Sequence, residues 1–435
     1  MNTYRYSHRK QKSADILIPP DKSISHRTVL LNSLPDTGKA RVRNFLFSED
    51  TLASIQFARK SGLHVIENRH CGELLLKREK RKQDLGEVDC GNSGTTVRLA
   101  LAIAASLGYR AVFTGDSSLS SRPMDRITEF LRQMGADIEG HNTLPLTVRR
   151  SEISKIDFET ELGSAQQKSA FILASLFAKG EEAVFHYTKE SRDHTELMLD
   201  AMGAILHKKE HNGRKSIIIP SQKDIKMMDF KVPGDFSSAA FFIILGLYTP
   251  GLVMRLRDVS LNPTRARLLE ILTEAGGDIR VENKKMFGGE QIGDIIVRES
   301  SLDGVKIDDE KDIPFLIDEI PVLSVAMAYA SGKSEFLNIG ELRFKESDRL
   351  KKICNILDNT EADYECDGDS LRIYPGRGRS GDVPVVTGND HRIVMSAVIN
   401  SCISGKSVIM DEITSVNISF PDFFEKLKEA GYHAG

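Results

Sequence analysis

The apolar positions recur along the chain with a long period. Six times a short polar cluster opens an apolar run of helical length: DKSISHRTVLLNSL, CGNSGTTVRLALAIAASL, GSAQQKSAFILASL, GDFSSAAFFIILGL, DEIPVLSVAMAYA and NDHRIVMSAVINS. These runs are apolar on nearly every face, which predicts helices buried all round. A glycine follows each run, at Gly38, Gly108, Gly180, Gly251, Gly332 and Gly405, and a short β-like stretch follows the glycine. Helix C-caps are expected at these glycines. After each β-like stretch and a polar loop comes an amphipathic pattern: EDTLASIQFARKSG, RPMDRITEFLRQMG, DHTELMLDAMG, TRARLLEILTEAG, SDRLKKICNILDN and PDFFEKLKEAG. These predict six more helices with one face to solvent.

The glycines are 70, 72, 71, 81 and 73 residues apart. Six mixed strand-and-helix copies of about 72 residues make a repeat architecture, and three per half predict two similar domains of about 215 residues. The longest spacing falls around NKKMFGGEQIG, which reads as an inserted loop.

Composition narrows the class. At roughly 100–200 residues per domain, 435 residues suit two or three domains. Lys+Arg 59 against Asp+Glu 62 gives a net charge of −3, which argues against a general polyanion binder but not against a local basic site. The five cysteines are scattered and show neither CxxC nor metal-ligand spacing. The polar N-terminus and the shortness of the apolar runs predict a cytoplasmic, reducing location.

Three short motifs mislead. GRGRSG at Gly376–Gly381 fits a dinucleotide-binding pattern but precedes a β-like stretch, so a pyrophosphate would lack its helix N-terminus. GKS at Gly332–Ser334 and Gly405–Ser407 follows a helix and precedes a strand, the reverse of a phosphate-binding loop. Asn417-Ile418-Ser419 fits a glycosylation sequon, without meaning in the cytosol.

The chemistry concentrates in the loops that open the buried helices, where free N–H groups and the dipole suit anions. These loops carry Lys22, Ser23, Arg27, Asn92, Ser93, Thr95, Arg98, Ser164, Gln166, His391 and Arg392, and the loops before the second helices add Arg122, Arg192, Lys345 and Arg349. If the repeats converge, the ligand is one or two small molecules with several negative charges. Taken singly, the Ser, Asp and Asn residues read equally well as N-caps. Two acids stand out. Asp318 in IDEIP opens the fifth buried helix, and Glu346 in RFKESDRL sits beside Lys345. Each reads as a tuned acid or base, or more simply as an N-cap (Asp318) or a salt-bridged first-turn acid (Glu346). No triad order, HExxH or metal spacing occurs.

The ordered set DKSISHR, DCGNSGTTVR, SLSSRPM, GSAQQKSA, SRDHTE, GDFSSAAFF, LNPTR, IDEIP, KESDRL, NDHR and SFPDFF resembles the 5-enolpyruvylshikimate-3-phosphate (EPSP) synthase family of enolpyruvyltransferases, from residue 21 to about 424. The resemblance implies a two-domain inside-out α/β barrel of six βαβαββ repeats, three per domain, that closes on substrate. The domains would be 21–235, and 1–20 plus 236–435. It implies transfer of the enolpyruvyl group of phosphoenolpyruvate to the 5-hydroxyl of shikimate 3-phosphate, a shikimate-pathway step toward chorismate and the aromatic amino acids. No metal or organic cofactor is implied, and a monomer is expected.

By motif match, shikimate 3-phosphate would be held by Lys22, Ser23, Arg27, Ser164, Ala165 (through its backbone), Gln166, Arg192, Asp318 and Lys345. Phosphoenolpyruvate would be held by Lys22, Asn92, Gly94, Arg122, Gln166, Arg349 and Arg392. The implied catalytic groups are Asp318, Glu346 and Lys22. One position departs from the pattern: members usually carry lysine where SVNISFP has Asn417, so a cation at the phosphoenolpyruvate phosphate is missing unless Lys406 supplies it. The sister enolpyruvyltransferases that act on UDP-N-acetylglucosamine usually place a cysteine before their Arg-Pro, whereas GDSSLSSRP has none. A non-catalytic phospho-ligand-binding relative, marked by Asn417, is opposed by the retained Lys22, Asp318, Glu346 and Arg392.

Overall fold

A computed structural model describes residues 1–434 except 212, 223, 310, 377, 379, 380 and 382. Part of GRGRSG therefore lies outside the described residues.

All six apolar runs are helices: α1 (Lys22–Asn32), α3 (Gly94–Ser106), α5 (Ala165–Ser175), α7 (Phe236–Leu247), α9 (Ile320–Met327) and α11 (His391–Ser404). Every residue of α7 and of α9 is buried, as expected where no face carries a charge. The amphipathic patterns are helices too: α2 (Glu49–Lys60), α4 (Asp125–Gln133), α6 (His194–Ala201), α8 (Arg267–Glu274), α10 (Arg349–Leu357) and α12 (Phe423–Glu429). Their apolar stripes turn inward; in α4 these are Ile127, Phe130 and Leu131.

The helix starts follow local capping chemistry. Asp21, Ser93, Ser164, Asp235 and Asp390 each accept a backbone N–H of the first turn of the helix that follows. The ends differ from expectation. Only Gly405 is itself the cap, left-handed at φ 65°, and Gly108 directly follows its cap, Leu107. The other four glycines lie beyond, because α1, α5, α7 and α9 already end at Ser33, Leu176, Tyr248 and Ala328. Those glycines serve the turns into the next strands.

The chain forms two compact units. The first is Pro20–Val232 with Met286–Glu290, and the second is Met1–Pro19, Pro233–Lys285 and Gln291–Gly435. Five sheets have four strands in one pattern: a parallel pair, then an antiparallel hairpin. In the first unit the sheet orders are Phe230–Lys231, Lys39–Arg43, Glu73–Arg78, Leu63–Asn68; then Asp84–Asp89, Arg110–Thr114, Leu146–Val148, Ile138–Glu139; then Asp157–Thr160, Glu182–Tyr187, Arg214–Pro220, His207–His211. In the second unit Ser13–Leu17 lies parallel to Val253–Ser260, and Lys306–Ile307 lies parallel to Ser334–Phe336. The last copy is completed from the start of the chain: Asn2–Tyr4 pairs with Val408–Met410, and Tyr6–His8 with Tyr432–Ala434.

The expected inserted loop is instead an extended hairpin. Asp278–Phe287 and Glu290–Arg298 are joined by Gly288 and Gly289, with φ of 58° and 84°. Two consecutive positive φ values are what a tight hairpin turn demands, and glycine meets them without a Cβ penalty. Beyond the turn, buried Glu290 hydrogen-bonds Nδ1 of buried His194 at 2.6 Å.

Candidate active site

The first unit gathers cations at three helix N-termini. Lys22 is the first residue of α1, and its Nζ lies 3.0 Å from Asp50 at the start of α2. One turn on, Arg27 is buried. It donates from Nε to Thr195 Oγ1 at 2.7 Å, from Nη1 to the Ser23 carbonyl at 3.0 Å and from Nη2 to Ser169 Oγ at 3.1 Å. Burial pushes the Arg27 pKa down to about 10, against the pull of Glu196 and Asp21 and with help from Arg192. Three fixed donors on one guanidinium leave it little freedom to turn.

Gly94 opens α3 with two guanidiniums above it. A Cβ there would meet Arg98 Nη1 at 2.7 Å and Arg122 Nη1 at 3.6 Å. Arg98 donates to Gln166 Oε1 at 2.9 Å, and Gln166 Nε2 donates to Thr95 Oγ1 at 3.1 Å, so both ends of that amide are oriented. Burial lowers the Arg98 pKa to about 10, aided by the nearby Arg122 and Arg126. Arg122 donates to Asn92 Oδ1, and Asn92 donates to Asp116 at 2.8 Å. Ser164 caps α5 through Gln167 N at 3.3 Å, and Ala165 is the first residue of that helix. The unit thus bonds Gly94 and Gln166 through Arg98, with the separately bonded Arg122–Asn92 pair beside them.

In the second unit, among the described residues, the candidate acids gather on Arg349. Its side chain is 0% exposed. It donates to Asp390 at 2.8 Å, to Asp318 at 3.1 Å and to Glu346 at 2.5 Å. Burial opposes its charge, but Glu346, Asp390 and Asp318 outweigh it and raise the pKa above that of an ordinary guanidinium. Arg392 donates to the Asp318 carbonyl at 3.0 Å, and Asp318 also lies 3.9 Å from the buried Arg265. Lys345 pairs with Glu341 at 2.9 Å, one helical turn back.

Residue Glu319, with no side-chain cap bond, is the N-cap of α9, so Asp318 is not that cap. Glu346 precedes the Asp348 cap of α10, so it is salt-bridged but not a first-turn acid. Lys406 follows the C-terminus of α11 and pairs with Glu361 at 2.9 Å, whereas Arg392 lies at the opposite end of that helix. A helix of 14 residues is roughly 20 Å long, so Lys406 cannot stand in for Asn417. Asn417 is exposed on a short 3-10 turn, Thr414–Ile418, near the α11 N-terminus: Glu412, which accepts from Ser415, also accepts from Thr387 at 3.0 Å.

Sequence reasoning missed several partners. Asp390 was visible only as part of NDHR, yet it both caps α11 and neutralises Arg349. Asp50 faces Lys22, and Asp235 and Ser237 hold Arg265 at 3.2 and 2.7 Å. Cap signals marked Asp235 and Asp390 as helix starts, but nothing local named the arginine each would meet.

A family model for "EPSP synthase (3-phosphoshikimate 1-carboxyvinyltransferase)" matches residues 7–427. A curated 3-phosphoshikimate 1-carboxyvinyltransferase of Caldicellulosiruptor bescii is 41% identical over 431 residues, 96% of this chain and 97% of that protein. Its counterpart in Persephonella marina is also 41% identical, over 95% and 96% of the two chains. Among solved structures, EPSP synthase of Acinetobacter baumannii aligns with a TM-score of 0.87 at 32% identity, covering 100% of this chain and 99% of that one.

Proposed function

As a chain that belongs to the EPSP synthase (3-phosphoshikimate 1-carboxyvinyltransferase) family, this protein is, we propose, an enolpyruvyltransferase that joins phosphoenolpyruvate to the 5-hydroxyl of shikimate 3-phosphate and releases phosphate. The observation that carries the reading is the Arg349 centre: one buried guanidinium holds both acid–base candidates, Asp318 and Glu346, in bonding contact. Such rigidity is what a positioned proton transfer needs.

In this reading Asp318 takes the 5-hydroxyl proton as that oxygen bonds to C2 of phosphoenolpyruvate. Glu346, with Lys22, gives a proton to the methylene carbon, and a tetrahedral intermediate results. The C2–O bond to phosphate then breaks as a proton leaves the methyl carbon toward the same pair. Lys22, Ser23, Arg27, Ser164, Ala165, Gln166, Arg192, Asp318 and Lys345 are assigned to shikimate 3-phosphate. Lys22, Asn92, Gly94, Arg122, Gln166, Arg349 and Arg392 are assigned to phosphoenolpyruvate. Each set is weighted toward cations, as two phosphorylated anions require, and preoriented arginines stabilise developing charge without reorganising. No cofactor enters any step.

We read the six copies as an inside-out α/β barrel pair, with domains 21–235 and 1–20 plus 236–435. The repeated sheet pattern supports this. Substrates this highly charged do not cross a bilayer unaided, which favours a cytoplasmic enzyme, read here as a monomer. The test is phosphate release from phosphoenolpyruvate in a coupled assay, with shikimate 3-phosphate or UDP-N-acetylglucosamine as acceptor. Release with the first acceptor alone is expected. No release, or release only with the second, overturns the assignment.

A further inference from the structure

Two of the five cysteines, neither of them used in any step above, lie on elements that pack together. Cys354 is in the second turn of α10 and packs partly buried against the core of the second unit. Cys366 is exposed on the strand Asp363–Asp367, which packs on the same helix. A neighbouring contact sets how helix and strand face each other: Tyr364 donates from its hydroxyl to Asp358 Oδ1 at 2.8 Å. Asp358 is four residues after Cys354, on the same helical face, and Cys366 is two residues after Tyr364, on the same strand face. With the Tyr364–Asp358 pair aligned, the next pair along the two faces is Cys354 with Cys366. The two cysteines are near enough for Cys366 to raise the pKa of Cys354, and for both to raise that of Tyr364.

We propose that Cys354 and Cys366 form a reversible disulfide, a redox-modification site on the helix whose first residue is Arg349. The oxidant is a peroxide. The exposed Cys366 sulfur attacks it: an S–O bond forms as the O–O bond breaks, and one water leaves. The Cys354 sulfur then attacks Cys366 sulfur, the S–S bond forms, the S–O bond breaks and a second water leaves. Two thiols lose two protons and two electrons, and hydrogen peroxide takes up both pairs. The order follows from exposure, since burial and the adjacent Cys366 push the Cys354 thiol up to about 12, which makes it the poorer first nucleophile. Disulfides in reducing compartments are typically transient and sensing ones. Here the bond would tie α10, and with it the start of the Arg349 centre, to the adjacent strand.

The test uses the full-length protein, treated with hydrogen peroxide below its unfolding temperature and compared with Cys354→Ser, Cys366→Ser and Cys71→Ser. Expected are a loss of 2 Da, the disappearance of two free thiols and a 354–366 cross-linked peptide pair. The melting temperature should rise by a few degrees and return with dithiothreitol. Cys71→Ser, which alters the other exposed cysteine, should behave as the parent, and each of the other variants should lose the mass change and the shift. An unchanged thiol count, a cross-link through Cys71, or a 354–366 link formed only after thermal unfolding would overturn the proposal.

Discussion

Replacing Gly94 with alanine tests the cation cluster with a single methyl group. The new Cβ would lie 2.7 Å from Arg98 Nη1, against about 3.4 Å for ordinary contact, so the guanidinium must retreat by roughly 0.7 Å. The same Nη1 donates to Gln166 Oε1 at 2.9 Å, and a retreat of that size away from the amide lengthens the bond past useful reach. A hydrogen bond to a charged group contributes about 1.5–3 kcal/mol. Gln166 and Gly94 are both assigned to phosphoenolpyruvate, so its KM should rise about 10- to 100-fold. The lost Arg98–Gln166 bond is internal to the protein, so stability should fall as well, by no more than about 1.5–3 kcal/mol, because the clash falls on the end of a flexible side chain. Gln166 is assigned to shikimate 3-phosphate too, so the KM for that substrate should also rise, but by less, because Arg27 and its three bonds are untouched. The assay is steady-state kinetics in both substrates, with denaturant unfolding as the control. A phosphoenolpyruvate KM within twofold of the parent, in a protein of unchanged stability, would refute the reasoning.

Glu346→Gln and Asp318→Asn should each lower kcat by about 10²–10⁴ while still binding shikimate 3-phosphate in calorimetry. Near-normal turnover in either variant would reduce that residue to a salt-bridge partner of Arg349. Asn417→Lys should lower the phosphoenolpyruvate KM by about tenfold, because a charge-assisted contact replaces a neutral one and Lys406 is at the far end of α11. A level or higher KM would remove the missing-cation account. His26 is fully buried, bonded to Ser54 at 2.8 Å, and burial lowers its pKa from 6.5 to about 3. The native state therefore keeps it neutral where the unfolded chain protonates it, so stability is lost as pH falls from 6.5 toward 3. At pH 5 that loss is about 2 kcal/mol, and urea unfolding of the parent and of His26→Gln at pH 7 and 5 should differ by that amount. Equal pH dependence in the two proteins would show that another group sets it.

How much was legible from sequence depended on how far each interaction reaches along the chain. The twelve helices were readable because their period is local, and the starts of those with a capping side chain because capping is local: Asp21 caps α1 through Ile24, three residues on. The loops carrying Lys22, Gly94, Ser164 and Arg392 could be placed at helix N-termini for the same reason. The helix ends were misplaced because a helix need not run to the next glycine: α1 already ends at Ser33, five residues before Gly38. The pairings that build the site were not local. Arg349 meets Asp390 across 41 residues, Arg98 meets Gln166 across 68, and Asn2–Tyr4 finds Val408–Met410 some 400 positions away. A residue's type states what it can bond to, but which partner it meets is set by the packing of helices and sheets that bury it. The sequence alone therefore determined the repeats, the buried helices and the charged loops that open them. Only the tertiary structure decided that Asp390 faces Arg349, that Lys406 lies at the wrong end of its helix, and that the helix of Cys354 packs on the strand of Cys366.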